Sequence, residues 1–166
     1  MRGALMFAVA LLSVQPAAAG EIIVGRASVV DGDTIDIGKT RVRFNGIDAP
    51  ESWQRCRDGD GGEYRCGQAA AMALDRFLAA SRPTRCELAG HDRDRRIGTC
   101  FRADGADVNR WMVENGHALD WPKYSKGAYA EAQRAAQAGG IGIWRGEFQS
   151  PCEVRAKRWK REPHCD

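Results

Sequence analysis

The chain has 166 residues, 43% of them hydrophobic, and carries a formal net charge of +3. This length suits one compact domain with a modest core, and no segment beyond the N-terminus is apolar enough to span a membrane. The net charge is too small to identify a nucleic-acid partner, so the distribution of charge along the chain carries more information than its sum.

The first 19 residues have the pattern of a secretory signal peptide. Arg2 supplies a positive start, residues 4–14 form an apolar run too short for a transmembrane helix, and residues 17–19 are alanines. Small residues at that place are typical of a cleavage site. A buried N-terminal helix is the competing interpretation, but it explains neither the arginine nor the alanines. We therefore predict a signal peptide at 1–19 and a secreted or periplasmic protein without a membrane anchor.

Three short strands joined by tight turns are predicted at the start of the remaining chain. Residues 21–30 are rich in Ile and Val, and residues 34–37 alternate between polar and apolar. The Asp-Gly-Asp sequence between them is typical of a turn. Residues 41–47 place Val and Phe on one face and Arg43 on the other. Strands of this kind favour a small barrel or a meander.

Pro50 ends the third strand, and a loop rich in glycine and charged residues follows at 52–67. Helices and further strands come after this loop in mixed order. The patterns predict helices over 68–80, 107–115 and 128–138, strands over 85–88 and 97–102, and a short strand after Gly116. This order mixes a small β-barrel with helices. We expect one domain over 20–150 and a basic tail over 151–166.

The six cysteines indicate disulfides, because an even number in an exported chain is typical of a cross-linked domain. The sequence does not fix the connectivity. Neighbour order suggests Cys56–Cys66, Cys86–Cys100 and Cys152–Cys165. A zinc site is disfavoured, since zinc ligands come in closely spaced pairs and the cysteines and histidines here are scattered.

Acidic and basic residues cluster around the first three strands. Asp33 lies in the first turn, Arg43 on the polar face of the third strand, and Asp48 and Glu51 at its end. If the strands form a meander, Asp33 and Asp48 meet at one edge. Two carboxylates, a backbone carbonyl and waters make an oxygen-only site that suits calcium. Arg43 can then grip a phosphate and Glu51 can act as a general base. Taken singly, each residue also fits an ordinary turn, surface or loop position.

Four segments of the sequence match a known signature. The V-x-D-G-D-T segment is present at 29–34, V-R-x-x-G-I-D-A-P-E at 42–51, V-N-x-x-[LM]-V-x-x-G at 108–116 and G-I-W at 142–144. The chain therefore resembles the thermonuclease family, typified by staphylococcal nuclease. The resemblance implies an α+β, mainly β fold: a five-stranded OB-type barrel with about three helices packed on it.

The resemblance also implies a calcium-dependent endonuclease that hydrolyses phosphodiester bonds of DNA or RNA and leaves 3′-phosphate ends. By position, Asp33 and Asp48 are implied as the metal carboxylates, and Ala49 as the donor of a backbone carbonyl. Arg43 is implied as a phosphate-binding arginine, and Glu51 as the residue that activates or orients water. We expect a monomer that acts on nucleic acid.

The second catalytic arginine of the family falls in an altered turn. The family pattern D-R-Y-G-R is replaced by D-R-D-R-R at 92–96. Alignment on the following strand at 97–100 assigns the role to Arg95, and alignment on the start of the turn assigns it to Arg96. Arg95 is preferred, because insertions are tolerated better in turns than in strands.

A non-catalytic OB-type module that binds nucleic acid is the alternative function, since OB folds often bind single strands without cutting them. The acidic cluster favours the enzyme, because carboxylates repel phosphates unless a cation intervenes. Two further features stay open. Trp121 and Tyr124 either stack on bases or pack in the core, and the basic residues around Trp159 either extend a groove or form a tail held by Cys152–Cys165.

Overall fold

The computed structural model describes residues 20–163 and 165, so the predicted signal peptide at 1–19 lies outside the described residues. The strands, in chain order, are β1 (Glu21–Gly25), β2 (Ala27–Asp31), β3 (Thr34–Ile37), β4 (Thr40–Phe44), β5 (Ile47–Asp48), β6 (Cys56–Arg57), β7 (Glu63–Tyr64), β8 (Thr84–Asp92), β9 (Arg95–Phe101) and β10 (Leu119–Asp120). The helices are α1 (Cys66–Ala79), α2 (Val108–Glu114), α3 (Pro122–Ser125), α4 (Ala130–Ala138) and α5 (Pro151–Arg158), with a 3₁₀ turn at Gly142–Arg145.

One bent strand closes the main sheet. The strand order is β1-β8-β9-β4-β3-β2, so the two edges of the sheet are consecutive pieces of chain that meet at Arg26. β1 pairs antiparallel with β8, and β2 pairs antiparallel with β3. Counted as one bent strand, they complete a curled five-stranded sheet. The predicted α+β, mainly β architecture of OB type is therefore confirmed.

The inner faces of these strands build the core with α1, α2 and α4. Alternation puts Ile35, Val42 and Phe44 inside, each at most 1% exposed, and leaves Arg43 on the opposite face of β4. Helices α1 and α4 contribute Leu74 and Ala132 to the same cluster. The apolar side of β4 is thereby fixed in the core, which fixes where its arginine points.

Helix α2 is tied to the barrel at its start. Asp107 is its N-cap and accepts a hydrogen bond from the backbone N–H of Arg110. Asn109 is fully buried; its amide donates to the carbonyls of Asn45 and Gly98 and accepts from the N–H of Cys100. One side chain therefore joins the helix to β9 and to the end of β4.

The hairpin of β8 and β9 is longer than the predicted strands at 85–88 and 97–102. Backbone pairing continues to Asp92 and Arg95, with only Arg93 and Asp94 in the turn. Hydrophobic periodicity does not reveal this extension, because the end of the hairpin consists of polar and charged residues and neither of its faces is apolar. Arg95 consequently lies on a strand rather than in a loose turn.

Five α-helices occur in the part of the chain that the structure describes, against about three expected. One addition, α3, is a single turn. The other, α5, forms within the basic segment after residue 150 and begins with a capping box between Ser150 and Glu153. Within the described residues, no helix is long and apolar enough to cross a membrane.

The three disulfides follow neighbour order along the chain: Cys56–Cys66, Cys86–Cys100 and Cys152–Cys165. Cys86 and Cys100 are paired residues of β8 and β9 and are completely buried. The first disulfide instead joins the loop after β5 to the start of α1, and the last joins α5 to the C-terminal end.

Candidate active site

Asp33 and Asp48 lie side by side although they come from separate segments of the chain. Asp33 lies in the turn between β2 and β3, Asp48 ends β5, and Oδ2 of Asp33 accepts a hydrogen bond from the N–H of Ala49 at 3.2 Å. Gly32 permits this approach, since a Cβ there would lie 2.7 Å from the Cβ of Ala49. Both carboxylates are almost fully buried, with 4% and 5% of Asp33 and Asp48 exposed. The structure thus brings together the two residues proposed as metal ligands.

Arg43 bridges these two carboxylates. Its Nη2 lies 3.1 Å from Asp33 Oδ2 and 3.2 Å from Asp48 Oδ1. Burial alone would lower the pKa of Arg43, but the charges of Asp33 and Asp48 raise it. The guanidinium is therefore permanently charged and faces the site from the polar side of β4.

Glu51 and Arg155 complete the charged cluster. Arg155 reaches in from α5, and its Nη1 donates to Asp48 Oδ1 at 2.6 Å and to Glu51 Oε1 at 2.8 Å. Its Nη2 donates to Asp48 Oδ2 at 3.0 Å, so the pair with Asp48 is bidentate. Burial opposes the charge on Arg155, but these hydrogen bonds raise its pKa.

Burial raises the pKa of three carboxyl groups in the cluster. It is the leading cause for Asp31, Asp48 and Glu51, and it outweighs the opposing hydrogen bonds that Arg155 makes to the last two. Carboxylates held out of water in this way are stronger proton acceptors than exposed ones. Among Asp33, Asp48 and Glu51, the side chain of Glu51 is the most exposed, at 18% against 6% for each of the other two. Glu51 therefore combines a raised pKa with access to solvent.

Asp33, Asp48 and the carbonyl of Ala49 fit a hard cation by their chemistry. All the donors are oxygen, and the two carboxylates converge closely enough to share one positively charged nitrogen of Arg43. Among residues 20–163 and 165, no three His, Cys, Asp or Glu side chains are arranged as metal ligands. The candidate set is therefore two carboxylates, together with the main-chain carbonyl of Ala49 expected from the sequence, and oxygen donors of this kind fit a hard cation better than zinc.

A cleft of about 750 Å³ opens over this cluster. Arg95 lines it and pairs with Asp92, whereas Arg96 pairs with Glu21 at a distance of 2.7 Å. Neighbouring residues on a strand point to opposite sides, so only one of the two arginines can face the cleft. The placement favours Arg95 over Arg96 as the second phosphate-binding arginine.

Aromatic side chains form another wall of the cleft. Trp121 and Tyr124 both line it and pack edge to face, with ring centroids 4.7 Å apart. The guanidiniums of Arg43 and Arg155 lie 5.9 Å and 5.6 Å from the Trp121 ring. Tyr124 is 51% exposed, so it is available to a ligand, while Trp121 mainly supports the two arginines.

The loop after Glu51 is anchored on both sides. Gln54, which is 3% exposed, accepts a hydrogen bond from the N–H of Glu51 and donates to the carbonyl of Gln149. Gly67 at the start of α1 packs directly on Glu51, since a Cβ there would lie 1.8 Å from the Glu51 carbonyl oxygen. Farther along the loop, Asp58 only accepts hydrogen bonds from the loop's own backbone.

Arg155 is the site residue that sequence reasoning missed. Its signal was the basic stretch at 155–161, but nothing in the stretch distinguishes one basic residue from another. The helical spacing from Pro151 and the docking of α5 select Arg155, and both are features of the folded chain.

Comparison with known proteins gives a consistent picture. Residues 41–146 match the family model described as staphylococcal nuclease homologue. The chain is 55% identical over 157 residues to the succinoglycan biosynthesis protein ExoI of Rhizobium meliloti (strain 1021), a match that covers 94% of this chain and 82% of that protein. It is 33% identical over 162 residues to the endonuclease YhcR of Bacillus subtilis (strain 168), covering 86% of this chain and 13% of that protein. An uncharacterized endonuclease of Haemophilus influenzae is 30% identical over 140 residues, covering 81% of this chain and 70% of that protein.

Proposed function

The chain belongs to the family of staphylococcal nuclease homologues, and from this premise we propose that it is an exported, calcium-dependent endonuclease acting on DNA or RNA. The observation that carries the proposal is the convergence of Asp33, Asp48, Glu51 and Arg43, of which Asp33, Arg43 and Glu51 line an open cleft. A surface that only binds nucleic acid gains nothing from buried carboxylates, because they repel phosphate.

Each residue of the cluster has a role in phosphodiester hydrolysis. Glu51 accepts a proton from the attacking water, and burial raises its pKa toward what a general base needs. Arg43 and Arg95 donate to the phosphate oxygens as negative charge builds on them. Asp33, Asp48 and the carbonyl of Ala49 would hold the calcium ion, which would supply positive charge to polarise the phosphate. The leaving group is the 5′ oxygen, so the product carries a 3′ phosphate.

The proposed substrate is recognised through its phosphates. The positively charged side chains that line the cleft are arginines, whose planar guanidinium groups suit phosphate oxygens. The proposed enzyme therefore has a weak preference among bases and accepts either DNA or RNA. We propose that it acts as a monomer. Export is supported by the three disulfides, which persist in oxidising compartments.

The first experiment measures cleavage of single-stranded DNA by oxidised protein lacking residues 1–19, with calcium and with chelator. Glu51→Gln should lower the rate about 100-fold or more, since general bases contribute on the order of 10²–10⁴. Glu63→Gln is the matched control, because Glu63 is an exposed carboxylate at the start of β7 that pairs with Arg55. The end chemistry of the products is read in the same assay.

Three results would count against this proposal. Cleavage that persists in chelator would show that calcium is not required. Full activity in a folded Glu51→Gln protein would show that Glu51 is not the general base. A folded protein that binds DNA but never cuts it would be the OB-type binding module. The name of the Rhizobium relative describes a process and not a reaction, so the assay also decides what that likeness implies for this chain.

A further inference from the structure

Arg155 occupies the oxygen atoms that the proposed calcium site needs. It donates to both carboxylate oxygens of Asp48 and to Glu51, while Arg43 takes a second position on Asp48. Asp48 thus has both of its oxygens engaged by guanidinium groups. Three guanidinium N–H groups thus use three of the about four acceptor positions of this carboxylate, so a cation at Asp48 competes directly with these hydrogen bonds.

The helix that carries Arg155 is docked by independent contacts. Pro151 at its start is buried, and the carbonyl of Gln149 accepts the hydrogen bond from Gln54. One turn beyond Arg155, the guanidinium of Arg158 stacks on Trp53 at 4.5 Å. These contacts hold α5 without the help of the carboxylates, so the position of Arg155 is not an accident of a loose tail.

The charge balance explains why a positive group is held there. Asp33, Asp48 and Glu51 bring three negative charges into a poorly hydrated site, and Arg43 supplies one positive charge. Leaving that excess unpaired is costly, because removing one partner of a buried pair strands the other. Arg155 supplies the second positive charge.

We infer that Arg155 holds the place of the divalent cation: it competes with calcium for Asp48 and Glu51 and must leave them when calcium binds. The inference rests on the proposed calcium site. It makes Arg155 a positioning residue, which keeps the two carboxylates paired and preformed until the cation takes over. Competition of this kind lowers the apparent affinity for calcium by the fraction of molecules in which the site is free.

Direct calcium binding to the oxidised protein, measured by calorimetry without nucleic acid, tests the inference. Arg155→Gln should bind calcium at least about tenfold more tightly than the natural chain if at most about a tenth of the molecules have the site free. A residue that merely supported the fold would give the opposite result, weaker binding. In chelator, Arg155→Gln should unfold at a lower temperature and gain more on addition of calcium.

Two further variants separate contact from charge. Lys157→Gln removes one positive charge from an exposed position of the same helix and keeps both the carboxylate contacts and the Arg158–Trp53 contact, so its calcium affinity should stay close to that of the natural chain. Arg155→Lys keeps the charge but loses the bidentate fork, so its affinity should fall between the natural chain and Arg155→Gln. Asp48→Asn should abolish binding and thereby locate the site.

The outcomes distinguish the inference from the function on which it rests. If Asp48→Asn abolishes calcium binding but Arg155→Gln binds no more tightly than the natural chain, the competition is refuted and the calcium site stands. Equal tightening in Lys157→Gln and Arg155→Gln would also refute it, since loss of positive charge alone would then suffice. If neither the natural chain nor Arg155→Gln binds calcium, the calcium site and the competition fail together.

Discussion

At the scale of single residues, buried polar groups decide which contacts the fold can make. Asn109 is the clearest case, because its fully buried amide satisfies the backbone of three other residues in β9 and after β4. Asp33 plays the same part in the site by accepting from the N–H of Ala49. In both cases one side chain within a sequence motif fixes the separation of two chain segments.

His117 gives a prediction at this scale. Burial, with the charges of Arg76 and Arg145, lowers its pKa from 6.5 to about 4, and its ring lies against Trp111. Between these values the unfolded chain takes up a proton that the folded chain does not, so stability falls as the pH is lowered from 6.5 to 4. The loss attributable to His117 is roughly 3 kcal/mol at most.

Urea unfolding at pH 6.5 and pH 5 measures this effect. His117→Phe keeps a ring against Trp111 and should lose less stability than the natural chain over this interval. His91→Gln, at an exposed position, should behave like the natural chain. An unchanged pH dependence in His117→Phe would show that His117 is not the group responsible.

At the scale of elements, the site depends on how α5 is docked. The buried amide of Gln54 links the loop that carries Glu51 to the segment before α5. Its Oε1 accepts from the N–H of Glu51 at 3.1 Å, and its Nε2 donates to the carbonyl of Gln149 at 2.8 Å. Removing the connection should therefore loosen the helix that delivers Arg155. Length and capping make α5 a helix, but this tertiary contact sets its position.

Gln54→Glu tests the connection with almost no change of shape. The new carboxylate can still accept from the Glu51 N–H but cannot donate to the Gln149 carbonyl, and it adds a buried charge. We expect a loss of about 1–3 kcal/mol in the free energy of unfolding and faster hydrogen exchange in α5 than in α1. Gln68→Glu, on the exposed side of α1, is the matched control. Unchanged exchange in α5 would show that Gln54 does not anchor it.

At the scale of the whole molecule, closure of the sheet and the cross-links act together. The bent first strand joins β8 to β3, and Cys86–Cys100 locks β8 to β9 inside the core. Cys152–Cys165 encloses a stretch of nearly the same length, 13 residues against 14, but lies at the periphery. Loop length alone therefore predicts similar stabilisation, whereas position predicts a difference.

Replacing both cysteines of one disulfide by alanine, for each disulfide in turn, distinguishes the effect of loop length from the effect of position. Loss of Cys86–Cys100 should lower the global free energy of unfolding by about 3 kcal/mol, the value for a loop of this length. Loss of Cys152–Cys165 should mainly speed hydrogen exchange in α5, because a peripheral helix can open without the barrel. Equal losses of global stability in urea would mean that α5 and the barrel unfold as one unit.

The sequence by itself determined the barrel, the helices α1, α2 and α4, and most of the residues of the candidate site. Some features depend only on residues that are close in the sequence and can therefore be recognised without the structure. Examples are the alternation in β4, the capping residue Asp107 and the turn residues around Asp33. The motif residues Asp33, Arg43, Asp48 and Glu51 were named from the sequence, and the fold brings them together. Neighbour order also anticipated the disulfide pairs.

Only the tertiary structure decided what depends on approach between distant segments. The length of the β8–β9 hairpin made Arg95 and not Arg96 face the cleft, and the docking of α5 brought Arg155 onto Asp48 across a separation of 107 residues. Charged residues carry no periodic signal that says what they will pair with. Their partners are set by which surfaces the core pulls together, and so they become visible only in the folded chain.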